Sequence, residues 1–239
     1  EYLCNMIESV IDAGATVVNI PDTTGYNLPW VFGEKIKYLV EQVPNIHKAR
    51  IAVHCHNDLG LATSNTIAGL VNGARQAEVT MNGVGERAGN TSLEETVMIL
   101  YSHKHLGLTT NINTEQICPT SDLVSKMMRM PVQANKAIVG KNAFAHSSGI
   151  HQDGFLKNRE NYEVIDPVIV GSMPSSIVLT ARSGKHALLH RLEKLGYTFE
   201  KEELLKIYDK FLVLADSQKE VNDKDLIELI KEIEPELKK

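Results

Sequence analysis

Arg50-Ile51-Ala52-Val53-His54-Cys55-His56-Asn57-Asp58-Leu59-Gly60 is the stretch that decides how this chain folds. Its apolar opening reads as a buried strand, and a strand sends residues i and i+2 to one face. His54 and His56 are therefore expected to project together from the strand's carboxyl end, spaced for two ligands of one divalent ion. Cys55 points the other way and reads as packing. Paired neutral imidazoles suit Zn, Mn or a similar centre, and carboxamide or carboxylate oxygens can complete the set. His-x-His pairs also occur on ordinary surfaces, so the neighbouring segments have to carry the reading.

The same design repeats on both sides. Thr16-Val17-Val18-Asn19-Ile20 reads as a strand, residues 21–25 as its loop, and Val31, Phe32, Ile36, Leu39, Val40 and Val43 as the apolar stripe of the following helix. After the central strand, residues 57–60 form a loop and 62–73 a helix. Glu78-Val79-Thr80-Met81 is the third expected strand, followed by a long loop, 82–90, and a helix running to about residue 105, opened by a Ser92-x-x-Glu95 capping box. Strands alternating with helices mean βαβ units and a parallel sheet. Ahead of them Leu3, Met6, Ile7, Val10 and Ile11 fall at helical spacing up to Gly14, so the chain opens inside an amphipathic helix and is expected to have lost what preceded it.

Chemistry-bearing residues gather at one end of that sheet. Asp22, Thr23 and Thr24 follow the first strand, His54, His56, Asn57 and Asp58 end or follow the second, and Asn82, Glu86, Arg87 and Asn90 follow the third. Loops at the carboxyl ends of parallel strands are where α/β proteins place their chemistry. Downstream, Asn113-x-x-Gln116 caps a helix through Ile117, Leu123, Val124 and Met127, with Met127, Met128 and Met130 expected as core filler. Residues 140–154 read as a functional loop, and helices are expected over 186–195, 201–215 and 223–233.

Composition bounds the class. The chain has 239 residues, 43% hydrophobic and 23% charged, ordinary for a globular protein. Its net charge of −5 gives nucleic-acid binding no support, and no apolar run reaches the roughly 18 residues of a membrane helix. Three cysteines far apart (Cys4, Cys55, Cys118) and no signal-peptide pattern point to a reducing, cytoplasmic setting rather than a disulfide framework.

His54-x-His56-Asn57-Asp58-Leu59-Gly60, then Asn82-Gly83-x-Gly85-Glu86-Arg87-Ala88-Gly89-Asn90, then His146-Ser147-Ser148-Gly149-Ile150-His151-Gln152-Asp153-Gly154 resemble the 2-isopropylmalate synthases. These belong to the metal-dependent aldol and Claisen enzymes built on a TIM barrel, alongside homocitrate synthase, citramalate synthase and hydroxymethylglutaryl-CoA lyase. The resemblance implies a divalent metal (Mn, Zn or Mg) held by His54 and His56 with Asn90 close by. It implies Thr23 on the carboxylate of a 2-oxo acid, and Glu86 near the metal, ordering Arg87 or a water. His151 and Tyr162 would act from a segment after the barrel that reaches into the partner subunit of a homodimer; Tyr162 is aligned only through Asn161-Tyr162-x-x-Ile165-Asp166-Pro167. The implied reaction is a Claisen-type condensation of acetyl-CoA with 2-oxoisovalerate, with CoA released by thioester hydrolysis.

The family's opening Asp-x-x-x-Arg-Asp-Gly strand, with a third metal-binding Asp, does not occur in the sequence. The expectation is therefore an α/β chain holding the last three βα units of a TIM (β/α)8 barrel, incomplete here, and then a mainly helical subdomain. Its divisions would be 1–110 for the barrel part, 111–182 for a linker with an active-site loop and 183–239 for the helices, and the isolated chain would be inactive. Citramalate or homocitrate synthase, and a non-catalytic folding or dimerisation fragment, are the alternatives. An amidohydrolase-type barrel fits poorly, because no suitably placed histidine follows the third strand.

Overall fold

Three stretches of two-residue alternation become strands β1 (Val17–Asp22), β2 (Arg50–Cys55) and β3 (Gln76–Glu78), paired in parallel in the order β1-β2-β3. Helix α1 (Tyr2–Asp12) precedes them, α2 (Pro29–Gln42) and α3 (Ala62–Val71) connect them, and α4 (Leu93–Ser102) and α5 (Ile117–Met128) follow. The computed structural model describes residues 1–146, 154, 165–173, 176–218 and 220–237. Two compact units divide the chain, one of residues 1–140 with 170–172, the other of 141–169 with 173–239.

In the first unit the sheet has two unlike faces. Ile20, Ile51, Val53 and Cys55 alternate onto one face and pack with Ile7 and Ile11 of α1, Phe32, Ile36 and Leu39 of α2, and Leu70 of α3. Burying an aliphatic or aromatic side chain of this size contributes roughly 1.5–3 kcal/mol, and Phe32, Ile36, Ala52, Val53 and Cys55 are fully buried. The register sets Pro21 beside His54 and His54 beside Glu78, so the other face carries Asn19, His54 and Glu78. Asn19 Nδ2 donates to Glu78 Oε2 at 2.9 Å across it.

Three expectations need correction. The third strand lies at Gln76–Glu78 rather than 78–81, because Thr80 is claimed by its own loop: its N–H donates to Thr91 O and its carbonyl accepts from Leu93 N, both at 2.9 Å. The capping box does not form. Ser92 is the N-cap residue without a side-chain cap bond, its hydroxyl instead accepting from Lys136 Nζ at 2.8 Å. Met127, Met128 and Met130 are exposed rather than core, since α5 buries only Ile117 and Ser121, one turn apart, and ends at a left-handed Arg129. The Asn113 cap does form, its carboxamide oxygen accepting from Glu115 N.

The second unit contains the parallel pair β4 (Ala145–His146) and β5 (Ser176–Ile177) and helices α6 (Lys185–Lys194), α7 (Lys201–Ser217) and α8 (Asp223–Leu237). Leu188, Leu192, Ile207, Phe211, Leu226 and Ile230 form their shared core. Arg191 makes a paired hydrogen bond to Asp223 at 2.6 and 2.8 Å, and Glu200 and Glu203 form a capping box at the start of α7. Among the described residues no helix is long and apolar enough to cross a membrane.

Candidate metal centre and its loops

Where β2 ends, the alternation delivers His54 and His56 to one side, their ring centroids 5.0 Å apart and their planes at 73°. Cys55 faces the core between them, and burial pushes its thiol up to about 12, opposed by a hydrogen bond with Thr66 and reinforced by the charge of Asp22. It is a packing residue and no thiolate donor.

The long loop after β3 then returns alongside β2. Asn57 N donates to Gly89 O at 2.9 Å, Thr91 N donates to Cys55 O at 3.1 Å, and His56 and Asn90 form an antiparallel bridge. Within the loop, Asn90 N donates to Gly83 O at 3.0 Å. That closure needs glycine at position 89, where φ is +92° and any Cβ would run into the Gly83 carbonyl. Backbone pairing thereby brings Asn90 alongside the histidine pair.

His54 Nδ1, His56 Nδ1 and Asn90 Oδ1 are all buried and lack a hydrogen-bond partner. His54 Nδ1 lies 3.5 Å from Glu78 Oε2, an ion-pair distance without hydrogen-bond alignment. An unsatisfied buried polar atom costs about 1–3 kcal/mol, so three on neighbouring residues call for a shared partner. Two imidazole nitrogens and a carboxamide oxygen are a donor set for a divalent cation. Among the described residues no three His, Cys, Asp or Glu side chains gather to hold a metal, and here the third donor is an amide.

A clamp joins the three loops in front of this centre. The Arg87 guanidinium donates to both Asp58 oxygens, at 2.8 and 2.9 Å, and to the Thr23 carbonyl at 2.8 Å. The hydrogen bond from Arg87 holds the Asp58 carboxyl below the usual carboxylate range, and the same bond raises Arg87. Behind Thr23, buried Asp22 accepts from Asn27 Nδ2 at 2.6 Å and Asn65 Nδ2 at 3.0 Å. Glu86, expected near the metal and ordering Arg87 or a water, points largely into solvent with an oxygen 3.8 Å from Arg87 Nη1. Asp58 is what orders Arg87.

Beside the glycine loop is a cavity of about 330 Å³, lined among others by Asn57, Thr63, Gly83, Asn90, Gln133 and Lys136. A charged knot closes its floor. Lys136 Nζ lies 2.6 Å from Glu95 Oε1, 3.2 Å from Glu94 Oε1 and 2.8 Å from Ser92 Oγ, while Thr63 donates to Glu95 Oε2 at 2.7 Å. Burial alone would lower Lys136, but the hydrogen bond to Glu95 and the charges of both glutamates outweigh it and hold the ammonium above its ordinary value. Glu94 is fully buried, and its other oxygen accepts from Asn82 N at 3.0 Å.

The structure thus brings His54, His56, Asn90 and Thr23 to one end of one sheet, with Glu86 at its rim. His151 and Tyr162 lie outside the described residues. Sequence reasoning gave no part to Glu78, Asn65, Glu94 or Lys136. Capping-box spacing was the signal that drew attention to Ser92 and Glu95, though they meet Lys136 instead.

A family model described as HMGL-like matches residues 1–124, and one described as homocitrate synthase post-HMGL domain-like matches residues 138–219. A 2-isopropylmalate synthase of Parabacteroides distasonis is 62% identical over 230 residues, covering 96% of this chain and 46% of the relative. The 2-isopropylmalate synthase of Pseudoalteromonas atlantica is 56% identical over 231 residues, covering 96% and 44%. Among solved structures, an HMG-CoA lyase of Bacillus subtilis aligns over 56% of this chain and 45% of its own at 21% identity, with a TM-score of 0.47. The chain spans about half the length of the curated relatives it matches.

Proposed function

This chain belongs to the HMGL-like family, and from that premise we propose that it carries the metal-binding part of a 2-isopropylmalate synthase. Acetyl-CoA and 2-oxoisovalerate would be its substrates, and 2-isopropylmalate and CoA its products. The observation that carries the reading is the set of orphaned donors His54 Nδ1, His56 Nδ1 and Asn90 Oδ1 at the carboxyl end of a parallel sheet. Those three residues would hold a divalent ion, Mn, Zn or Mg. When bound, the ion supplies Lewis acidity to the keto group of the 2-oxo acid.

The remaining work falls to the chain's own residues. Thr23, exposed on the loop after β1 and held through its carbonyl by Arg87, would meet the substrate carboxylate. His151 would take a proton from the acetyl methyl group, a task suited to an imidazole near neutral pH. The resulting carbon nucleophile bonds to the keto carbon, the keto oxygen ends as a hydroxyl, and water cleaves the thioester to release CoA. Tyr162 would act from the same second segment, and Glu86 at the rim would order water near Arg87. The polar face of Asn19, His54 and Glu78 suits the interior of a TIM barrel, to which these strands would belong. A cytoplasmic homodimer is the expected state.

Two experiments test this. After chelation, the purified chain should bind one Mn or Co ion, His54→Ala or His56→Ala should abolish binding, and Asn90→Ala should weaken it. Absence of binding, or binding indifferent to His54→Ala, refutes the metal centre. For the substrate, the matching segment of the Parabacteroides distasonis synthase is replaced by this chain, and thiol release is followed with acetyl-CoA. The chimera should prefer 2-oxoisovalerate; preference for pyruvate or 2-oxoglutarate would make it a citramalate or homocitrate synthase instead.

A further inference from the structure

We propose that Lys136 and Glu94 are positioning residues for Asn90, acting through Asn82 at the opposite end of the glycine loop. The inference rests on the metal-centre reading above and extends it to residues that touch neither ion nor substrate.

The connection runs through direct contacts. Lys136 Nζ pairs with Glu94 Oε1, and Glu94 Oε2 accepts the backbone N–H of Asn82. Asn82 stands in the left-handed region at φ 63°, which asparagine accepts more readily than most L-residues. Its side chain is fixed, since Asn82 Nδ2 donates to Ser121 O at 3.1 Å and Asn82 Oδ1 accepts from Ser121 Oγ. The next residue, Gly83, offers the carbonyl that receives Asn90 N. Lys136 also reaches the loop's other end through Ser92 Oγ, two residues beyond Asn90. One ammonium therefore sets both ends of the segment that carries the amide donor, whereas His54 and His56 ride on β2 and its end.

That asymmetry makes the proposal testable. Disturbing the knot should weaken the Asn90 contribution and leave the histidine pair in place. Partners that orient a metal ligand typically change affinity by about 10–100-fold, so Lys136→Met and Glu94→Gln should each weaken Mn binding by about tenfold.

The measurement is calorimetric titration of the purified chain with Mn, with the Co absorption spectrum as second readout. Lys136→Met should cost little further affinity once Asn90→Ala is present, should alter the Co bands as Asn90→Ala does, and should be partly rescued by Lys136→Arg. A role confined to folding would give losses that add to those of Asn90→Ala, and that result overturns the proposal. So does a Lys136→Met chain binding Mn within twofold of the parent. If Lys136→Met does not fold, Ser121→Ala removes one hydroxyl from the far side of Asn82; a several-fold loss sustains the proposal and unchanged affinity overturns it. Failure of the parent chain to bind Mn at all defeats the metal centre and this inference together, whereas binding with an inert knot defeats this inference alone.

Discussion

Replacing Lys136 with Met takes the ammonium out of the knot it forms with Glu94 and Glu95 and leaves both carboxylates without it. Glu94 has no exposed side-chain surface, and Lys136 itself is 17% exposed. Removing one partner of a buried ion pair costs about 3–5 kcal/mol, because the other charge stays behind without solvent. Glu95, 25% exposed, is partly served by water and by Thr63, which sets the expectation near the lower end, about 3 kcal/mol. The pH dependence has a definite sign. In the parent chain Lys136 is raised in the fold, so its contribution is complete below the unfolded lysine value of about 10.4 and is lost as pH rises through the folded one. Urea unfolding of parent and variant at pH 8, followed by circular dichroism, measures the gap. A deficit under about 1 kcal/mol refutes the reasoning. Adding Glu94→Gln to Lys136→Met should recover at least about 1 kcal/mol, since an amide needs no counter-ion.

Phe32→Ala should destabilise the first unit by about 3–5 kcal/mol in the same assay, because the ring is fully buried among α2, α3 and the sheet. Arg87→Ala should return the Asp58 carboxyl to its ordinary range in an NMR titration. Asp58 is depressed in the fold, so its support for the three-loop clamp is present above the unfolded aspartate value of about 3.9 and disappears as pH falls through the folded one; faster amide exchange at residues 86–89 in acid is the check. Cys55 should resist a thiol reagent at pH 8 until the first unit unfolds, its thiol being buried and pushed up to about 12, and modification at the rate of partly exposed Cys118 would contradict that placement.

The strands and helices of the first unit were legible because each buries one regular stripe. Ile51, Val53 and Cys55 alternate, while Phe32, Ile36 and Leu39 fall at helical spacing, and both patterns survive in the core. The histidine pair was legible for the same reason, since alternation alone puts His54 and His56 on one side of β2. What could not be read was anything decided by partners distant in sequence. Lys136 lies 41 residues from Glu95, and nothing local announces that it will displace the expected cap at Ser92. Arg87 finding Asp58, 29 residues earlier, rather than its neighbour Glu86 is the same case. Met127 and Met128 of α5 show the converse, apolar letters at plausible spacing that stay exposed.

The misplaced third strand is the error that explains the site. Val79, Thr80 and Met81 have the side chains of a strand, and continuing β3 through them would have filled the edge of β2 up to His56. Instead β3 ends at Glu78, and the Cys55 carbonyl receives Thr91 N while Asn57 N donates to Gly89 O. The edge is filled by the loop's own return arm, which takes up the Cys55 carbonyl and the Asn57 N–H. A three-residue strand is thus the condition for an amide donor beside two imidazoles. Extending β3 by two residues would pair Thr80 with β2 and push Asn90 away from His56. The local strand propensity of Val79-Thr80-Met81 is overruled by Thr80 bonding to Thr91 and Leu93 and by the left-handed turn at Asn82 and Gly83. That turn in turn depends on a buried carboxylate, Glu94, whose own burial is tolerable only with Lys136 against it.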